Sequence, residues 1–158
     1  MNKFRLLSIA VFLLFASVSY SQQHPDLSGE WMLNLKKSKL EAKWTEGLEK
    51  GIVRIVHDEP DFRYWRVFII KGKDDVLSFA LPTGGQEKIE DTRDRKVTSS
   101  LSWKQDTLIY TAKTFAGKRE TVNIARYYLI PDSARMVMDE LFTAPKMNYH
   151  NIWVFEKK

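Results

Sequence analysis

Leu27-Ser28-Gly29-Glu30-Trp31-Met32-Leu33-Asn34-Leu35-Lys36 is the stretch on which the reading of this chain turns. Trp31, Leu33 and Leu35 alternate with Glu30, Met32, Asn34 and Lys36, the period-two pattern of a strand with one buried face. Gly29, two residues ahead of the tryptophan, lets the backbone bend or bulge where a sheet closes on itself. Lys36-Lys37-Ser38-Lys39 ends the strand. The segment reads as the first strand of a β-barrel.

Working upstream, Lys3 and Arg5 form a basic start and Leu6 through Val18 an almost unbroken apolar run. Ser19-Tyr20-Ser21 then places small residues where a signal peptidase reads them, so cleavage is expected before Gln22. The apolar run is shorter than the ~20 residues that cross a bilayer, and no later stretch could span one. The expectation is a secretory leader over 1–21 and one domain over 22–158, secreted or periplasmic, with no membrane span in the mature chain.

A length of 158 residues favours one domain, and 44% hydrophobic with 13% aromatic residues is enough for a packed core. The net charge of +5 falls by two once Lys3 and Arg5 leave with the leader. That mild excess is spread along the chain, whereas nucleic-acid binding calls for a clustered basic patch. The chain has no cysteine, which excludes disulfides, thiolate metal sites, a cysteine nucleophile and a lipid anchor on cysteine.

Downstream, Leu40 to Gly51 admits two readings. Leu40, Trp44 and Leu48 recur at helical spacing, and Ser38 with Glu41 fits a capping box, so a short helix lying over one barrel end is one reading. A surface loop with Trp44 tucked down is the other. From Gly51 the pattern is insistently β. Ile52 to His57 is a strand, Asp58-Glu59-Pro60-Asp61 a turn, and Phe62 to Lys71 a long strand whose Trp65, Val67 and Ile69 share a face. Gln86 to Lys96 is charged, with room for one short edge strand. Further strands cover Val76–Leu81, Val97–Trp103, Thr107–Thr114, Glu120–Ile130, Ala134–Leu141 and Asn148–Phe155. Many short strands joined by short turns, with no βαβ alternation, predict an all-β, antiparallel up-and-down barrel of about 8–10 strands with at most one short helix.

The Gly29-x-Trp31 start resembles the lipocalins within the calycin superfamily. That resemblance implies that Trp31 packs across the closed base of the barrel against a basic side chain, Arg126 or Arg135. The chain is also similar to a broad group of secreted bacterial proteins with lipocalin-like barrels. The similarity lies in Leu27 to Asn34 followed by Lys37-Ser38, in Ser100 to Leu108, and in Ile152-Trp153-Val154-Phe155-Glu156-Lys157. It implies a lipocalin-like fold over most of the mature chain and no catalytic residues.

The chemistry was read residue by residue. His24, His57 and His150 make no His-x-His or His-x-x-x-His spacing, so no metal site is expected. If His57 and His150 both faced inward, Asp139 or Glu140 could join them. There is no Gly-x-Ser-x-Gly and no phosphate-binding glycine loop. Glu90 with Asp91, and Asp139 with Glu140, are adjacent on strands and point to opposite faces, so neither pair converges on a substrate. Neither catalysis nor a cofactor is expected.

The interior is the candidate site, because small barrels can enclose one apolar ligand. Its expected lining is Trp44, His57, Trp65, Phe79, Trp103, Tyr110, Arg126, Tyr127, Met138 and His150. His57, Tyr127 or Arg126 would orient the ligand, and an opening is looked for beside Trp44. The expected function is non-catalytic binding or transport of a small hydrophobic molecule. The alternative is an extracytoplasmic module that binds a protein or polysaccharide through Gln86–Arg95, Leu40–Gly51 or the barrel surface.

Overall fold

The computed structural model describes residues 24–131 and 133–158. The proposed leader lies outside the described residues. Ten antiparallel strands follow one another: β1 Gly29–Leu33, β2 Leu48–Asp58, β3 Asp61–Ile70, β4 Lys73–Pro82, β5 Lys88–Asp91, β6 Lys96–Lys104, β7 Thr107–Ala116, β8 Arg119–Leu129, β9 Arg135–Ala144 and β10 Met147–Lys157. The order across the sheet is β4-β3-β2-β1-β10-β9-β8-β7-β6-β5. Every sequential pair is a hairpin except β1–β2, which are adjacent but joined by a longer connection, and β4–β5, which do not pair. β1 pairs with β10 and closes the wall. The two ends of the sheet, β4 and β5, meet as a slit. A single bridge, Gly84 to Ser102, holds the slit at one end.

The opening stretch does what its pattern predicts for Trp31. That ring is 2% exposed, and its Nε1 donates to the Leu27 carbonyl at 3.0 Å. The basic partner implied by resemblance is neither Arg126 nor Arg135. It is Lys157 on β10, whose Nζ lies 5.3 Å from the Trp31 ring. Gly29 sits at φ +133°, and a Cβ there would meet Lys157 Cε at 3.0 Å. The glycine therefore serves both a backbone conformation closed to other residues and the passage of the lysine stem over the tryptophan. Leu35, expected to share the buried face, falls in the turn after β1 and is 37% exposed.

Leu40 to Gly51 forms no α-helix. It contains one short 3-10 turn, Lys43–Thr45. Ser38 is not a helix cap: its Oγ donates to the Asn34 carbonyl and accepts from Val154 N. The Asn151 side-chain oxygen instead ties the segment down by accepting from Glu41 N and Ala42 N at 2.8 and 3.1 Å. Gly47, at φ +85°, turns the chain into β2, which begins four residues earlier than the Ile52 start its hydrophobic pattern suggests because Lys71 N already bonds the Gly47 carbonyl. Trp44 is tucked down, its ring centre 5.7 Å from Trp153 and 6.4 Å from Phe68.

One end of the barrel is solid. Leu27, Trp31, Val53, Ile55, Phe62, Leu101, Leu108, Met136 and Phe155 are at most 2% exposed there. The N-terminal arm seals this end: Leu27 N reaches His57 Nδ1 at 3.5 Å and Ser28 Oγ bonds the His57 backbone.

Candidate functional site

Beyond that packed end the interior opens into a cavity of about 380 Å³, set against the slit. Four elements supply its walls. β4, the strand at the slit, lines it along the whole run Leu77–Leu81, while β6 gives Val97 and Ser99, β7 gives Tyr110, Ala112 and Thr114, and β8 gives Thr121 and Asn123 by strand alternation. Phe142 from β9 closes the inner side. Lys88, Glu90 and Arg95 stand at the rim. Phe79 stacks on Tyr110 at 4.7 Å and on Tyr64 at 4.9 Å, a continuous aromatic wall. Burial, and next the negative charge of Glu90, pushes the Tyr110 hydroxyl above its ordinary pKa. The lining thus combines an aromatic side with hydroxyl and amide groups.

Of the ten expected lining residues, only Phe79 and Tyr110 reach this cavity. Tyr127 and Met138 face inward but are consumed by the packed core, at 2% and 3% exposure. Burial raises the Tyr127 hydroxyl far above its ordinary pKa. Trp44 lies at the far end beside Arg66, Ile70 and Asp75, in a separate open depression, so the cavity does not open there.

Three expected residues are on the outside. Trp65 is 39% exposed with the Arg54 guanidinium 5.7 Å above its ring, because Phe62, Tyr64, Arg66 and Phe68 take the inner face of β3. Arg126 points outward because Ala125 and Tyr127 take the inner face of β8. His150 is on the outer face of β10 and bonds Asp139 at 2.8 Å, so it does not meet His57.

His57 and Trp103 belong to the sealed end. Glu59 Oε1 lies 2.8 Å from His57 Nε2 and accepts from Trp103 Nε1 at 2.5 Å, while its Oε2 accepts from Thr83. His24 stacks on Trp103 at 4.4 Å. This cluster fastens the arm and two strand ends together. Among the described residues no three His, Cys, Asp or Glu side chains converge as metal ligands, and no helix is long and apolar enough to cross a membrane.

Two polar residues that the expected lining left out lie on inner faces. Glu140 is 6% exposed, and its oxygens accept from Asn123, Asn151 and Trp153. Its signal was present, since Glu140 shares the inner face of β9 with Met136 and Met138. Arg66 lies inward on β3, 2.5 Å from Asp75 and 4.2 Å from the Phe68 ring centre.

A ten-stranded, nearly closed antiparallel barrel with an internal cavity beside an unpaired strand gap is the class of structure these observations define. No family model matches the chain, and no curated relative matches it. Solved structures do. Human cRBP IV aligns with 85% of this chain and 99% of its own, at 17% identity and a TM-score of 0.54. Zebrafish ileal bile acid-binding protein, solved with cholic acid, aligns with 83% and 98%, at 12% identity and 0.55. A secretory abundant heat soluble protein from Ramazzottius varieornatus aligns with 87% and 98%, at 11% identity and 0.55. The likeness is one of fold: these neighbours and this chain share an antiparallel β-barrel architecture.

Proposed function

We propose that this protein is a non-catalytic carrier that holds one small, largely hydrophobic molecule in the cavity beside the slit, and that it does so outside the cytoplasm. The observation that carries the reading is the partly open space of about 380 Å³ between Phe79, Tyr110, Ala112, Asn123 and Phe142. It falls within the ~300–1,000 Å³ of small-molecule sites. Entry runs through the slit, where no backbone ladder has to break. Structural neighbours whose names are those of a fatty acid transporter and a bile acid-binding protein support the class of ligand. The apolar run Leu6 to Val18 and the small residues Ser19 and Ser21 support export.

Native mass spectrometry of the protein purified from its own host, followed by organic extraction, tests the proposal. A stoichiometric small hydrophobe is the expected result. A clean apo mass, with no thermal shift from a panel of fatty acids and isoprenoids, overturns it.

One observation favours a second reading. Val56, Trp65 and Val76 are 55%, 39% and 57% exposed on the outer face of β2, β3 and β4, an apolar strip suited to a partner. Under that reading Trp65→Ser abolishes a pull-down partner while leaving ligand binding intact.

A further inference from the structure

The outer face of β1 to β4 carries an apolar field, and the pairing registers lay it out in rows. Met32 pairs with Ile52, Ile52 with Val67 and Val67 with Val76, so one row crosses four strands without a polar side chain. The next row toward the sealed end holds Arg54, Trp65 and Ser78, and the one after it Val56, Arg63 and Ala80. Val56, Trp65 and Val76 stay open to solvent in the single chain, while the inner residues Val53, Ile55, Tyr64 and Phe68 of the same strands are buried. An apolar field of this kind is a surface for association.

The charges at its two ends differ in sign along β2. Lys50 stands at the Trp44 end and Asp58 at the sealed end, on the same face because side chains alternate with period two. Arg54, midway between them, is held by Glu30 at 2.9 Å. Neither Lys50 nor Asp58 enters an ion pair among the described residues. A strand that is basic at one end, acidic at the other and apolar between them is complementary to its own copy laid antiparallel.

We propose that the outer face of β1 to β4 docks a second copy of this chain, with the two-fold axis beside Trp65 and at right angles to β3. This names the partner of the outer strip and rests on that second reading, not on the carrier one. The axis sets Trp65 against Trp65 of the second copy, as an isologous contact requires. It sets Ile52 against the second copy's Val56, Val76 against its Ala80 and Lys50 against its Asp58. A two-fold along the strands would instead lay Arg63 on Arg63 and Asp61 on Asp61, and like charges disfavour it. An anionic lipid surface fits less well: the unpaired charges on this face, Lys50 and Arg63 against Asp58, Asp61 and Asp74, give no basic excess. Strands about 4.8 Å apart and rows about 6.8 Å apart make the field roughly 17 by 28 Å, or roughly 500 Å² a copy. The total of about 1,000 Å² meets the lower bound of specific interfaces, which points to a reversible dimer rather than an obligate one.

The test is sedimentation velocity with light scattering on the mature protein from about 1 to 500 µM, at neutral pH and low salt. The expected result is a reversible passage from monomer to dimer with a Kd on the order of 1–100 µM. Trp65→Ser alters both sides of the axis and should weaken the dimer at least about thirtyfold. Lys50→Asp should weaken it at least about fivefold, and adding Asp58→Lys to the same chain should restore it to within about threefold. These side chains stand on the outer wall, and circular dichroism checks that each variant is folded. A native protein that stays monomeric up to about 500 µM overturns this inference. The second reading then stands only if the native protein captures a different partner that Trp65→Ser loses, and failure of that capture overturns both. A dimer that Trp65→Ser leaves intact also overturns the inference, because its contact lies elsewhere. A double exchange that fails to restore the dimer overturns the antiparallel arrangement.

Discussion

Ala112 is the position at which the cavity can be closed from within. It lies on the inner face of β7, 9% exposed, between Ser99 on β6 and Asn123 on β8. A phenyl ring placed there by Ala112→Phe projects into the open space. An engineered cavity of about 150 Å³ accepts a benzene, so the ring takes up to that much of the ~380 Å³ and leaves about 230 Å³. That remainder is below the ~300 Å³ at which small-molecule sites begin. Filling a void gains up to about 24 cal/mol per Å³, and crowding of the neighbours costs about 1–3 kcal/mol. Over about 150 Å³ the gain is up to about 3.6 kcal/mol, so the net effect is at most about 2.6 kcal/mol of stabilisation, a rise in Tm of no more than about 10 °C. Affinity for the ligand recovered by extraction, or for decanol as a surrogate, should fall at least about tenfold, or about 1.4 kcal/mol. Calorimetry on the folded variant reads the affinity and circular dichroism the fold. A variant that is folded and binds with native affinity refutes the assignment of the site to this cavity.

Three further outcomes follow from the packing. Gly51→Ala puts a Cβ 2.7 Å from Phe68 Cε1 and 2.9 Å from Leu33 Cβ. Phe68 is fully buried and cannot retreat, so denaturant unfolding should show a loss of about 1–3 kcal/mol. Trp65→Ser removes an outward ring and its contact with Arg54, so it should cost no more than about 1 kcal/mol and leave ligand affinity unchanged; lost affinity would put Trp65 back at the site. Burial alone would raise the Glu59 carboxyl, but hydrogen bonds from Thr83, His57 and Trp103 outweigh it and hold the group below its ordinary 4.5. A depressed carboxylate gives stability that is complete above the unfolded value and lost as pH falls through the folded one. Melting temperature should therefore drop below pH 4.5, and Glu59→Gln should flatten part of that acid slope. An equal slope in the variant would show that Glu59 does not fasten the sealed end.

How much was legible depended on how asymmetric each strand is. In Leu27–Lys36 polar residues alternate with Trp31 and Leu33, and the burial of Trp31 could be read directly. The same holds for Val53, Ile55 and His57, which share the inner face of β2. In Phe62–Ile70 both faces are aromatic or aliphatic. Phe62, Tyr64 and Phe68 compete with Trp65, Val67 and Ile69, and the alternation identifies a strand without saying which face is inside. The inward assignments of Trp65 and Arg126 failed for this reason, and that of His150 because Asn151 and Trp153 hold the inner face. Glu140 stayed hidden because a buried carboxylate looks like a solvent-facing one until Asn123, Asn151 and Trp153 are brought around it.

The amino-acid sequence by itself determined that the chain forms short antiparallel strands, that they close on Trp31, and that no cysteine chemistry is available. Those properties are local: they follow from period-two alternation, turn residues and composition. Which face of each strand points inward, which two strands stay unpaired, and where the interior is hollow were decided only by the tertiary structure. These depend on the register between strands distant in sequence, and a register shifted by one residue exchanges the two faces completely. The slit between β4 and β5 and the cavity beside it exist only once all ten strands have been aligned.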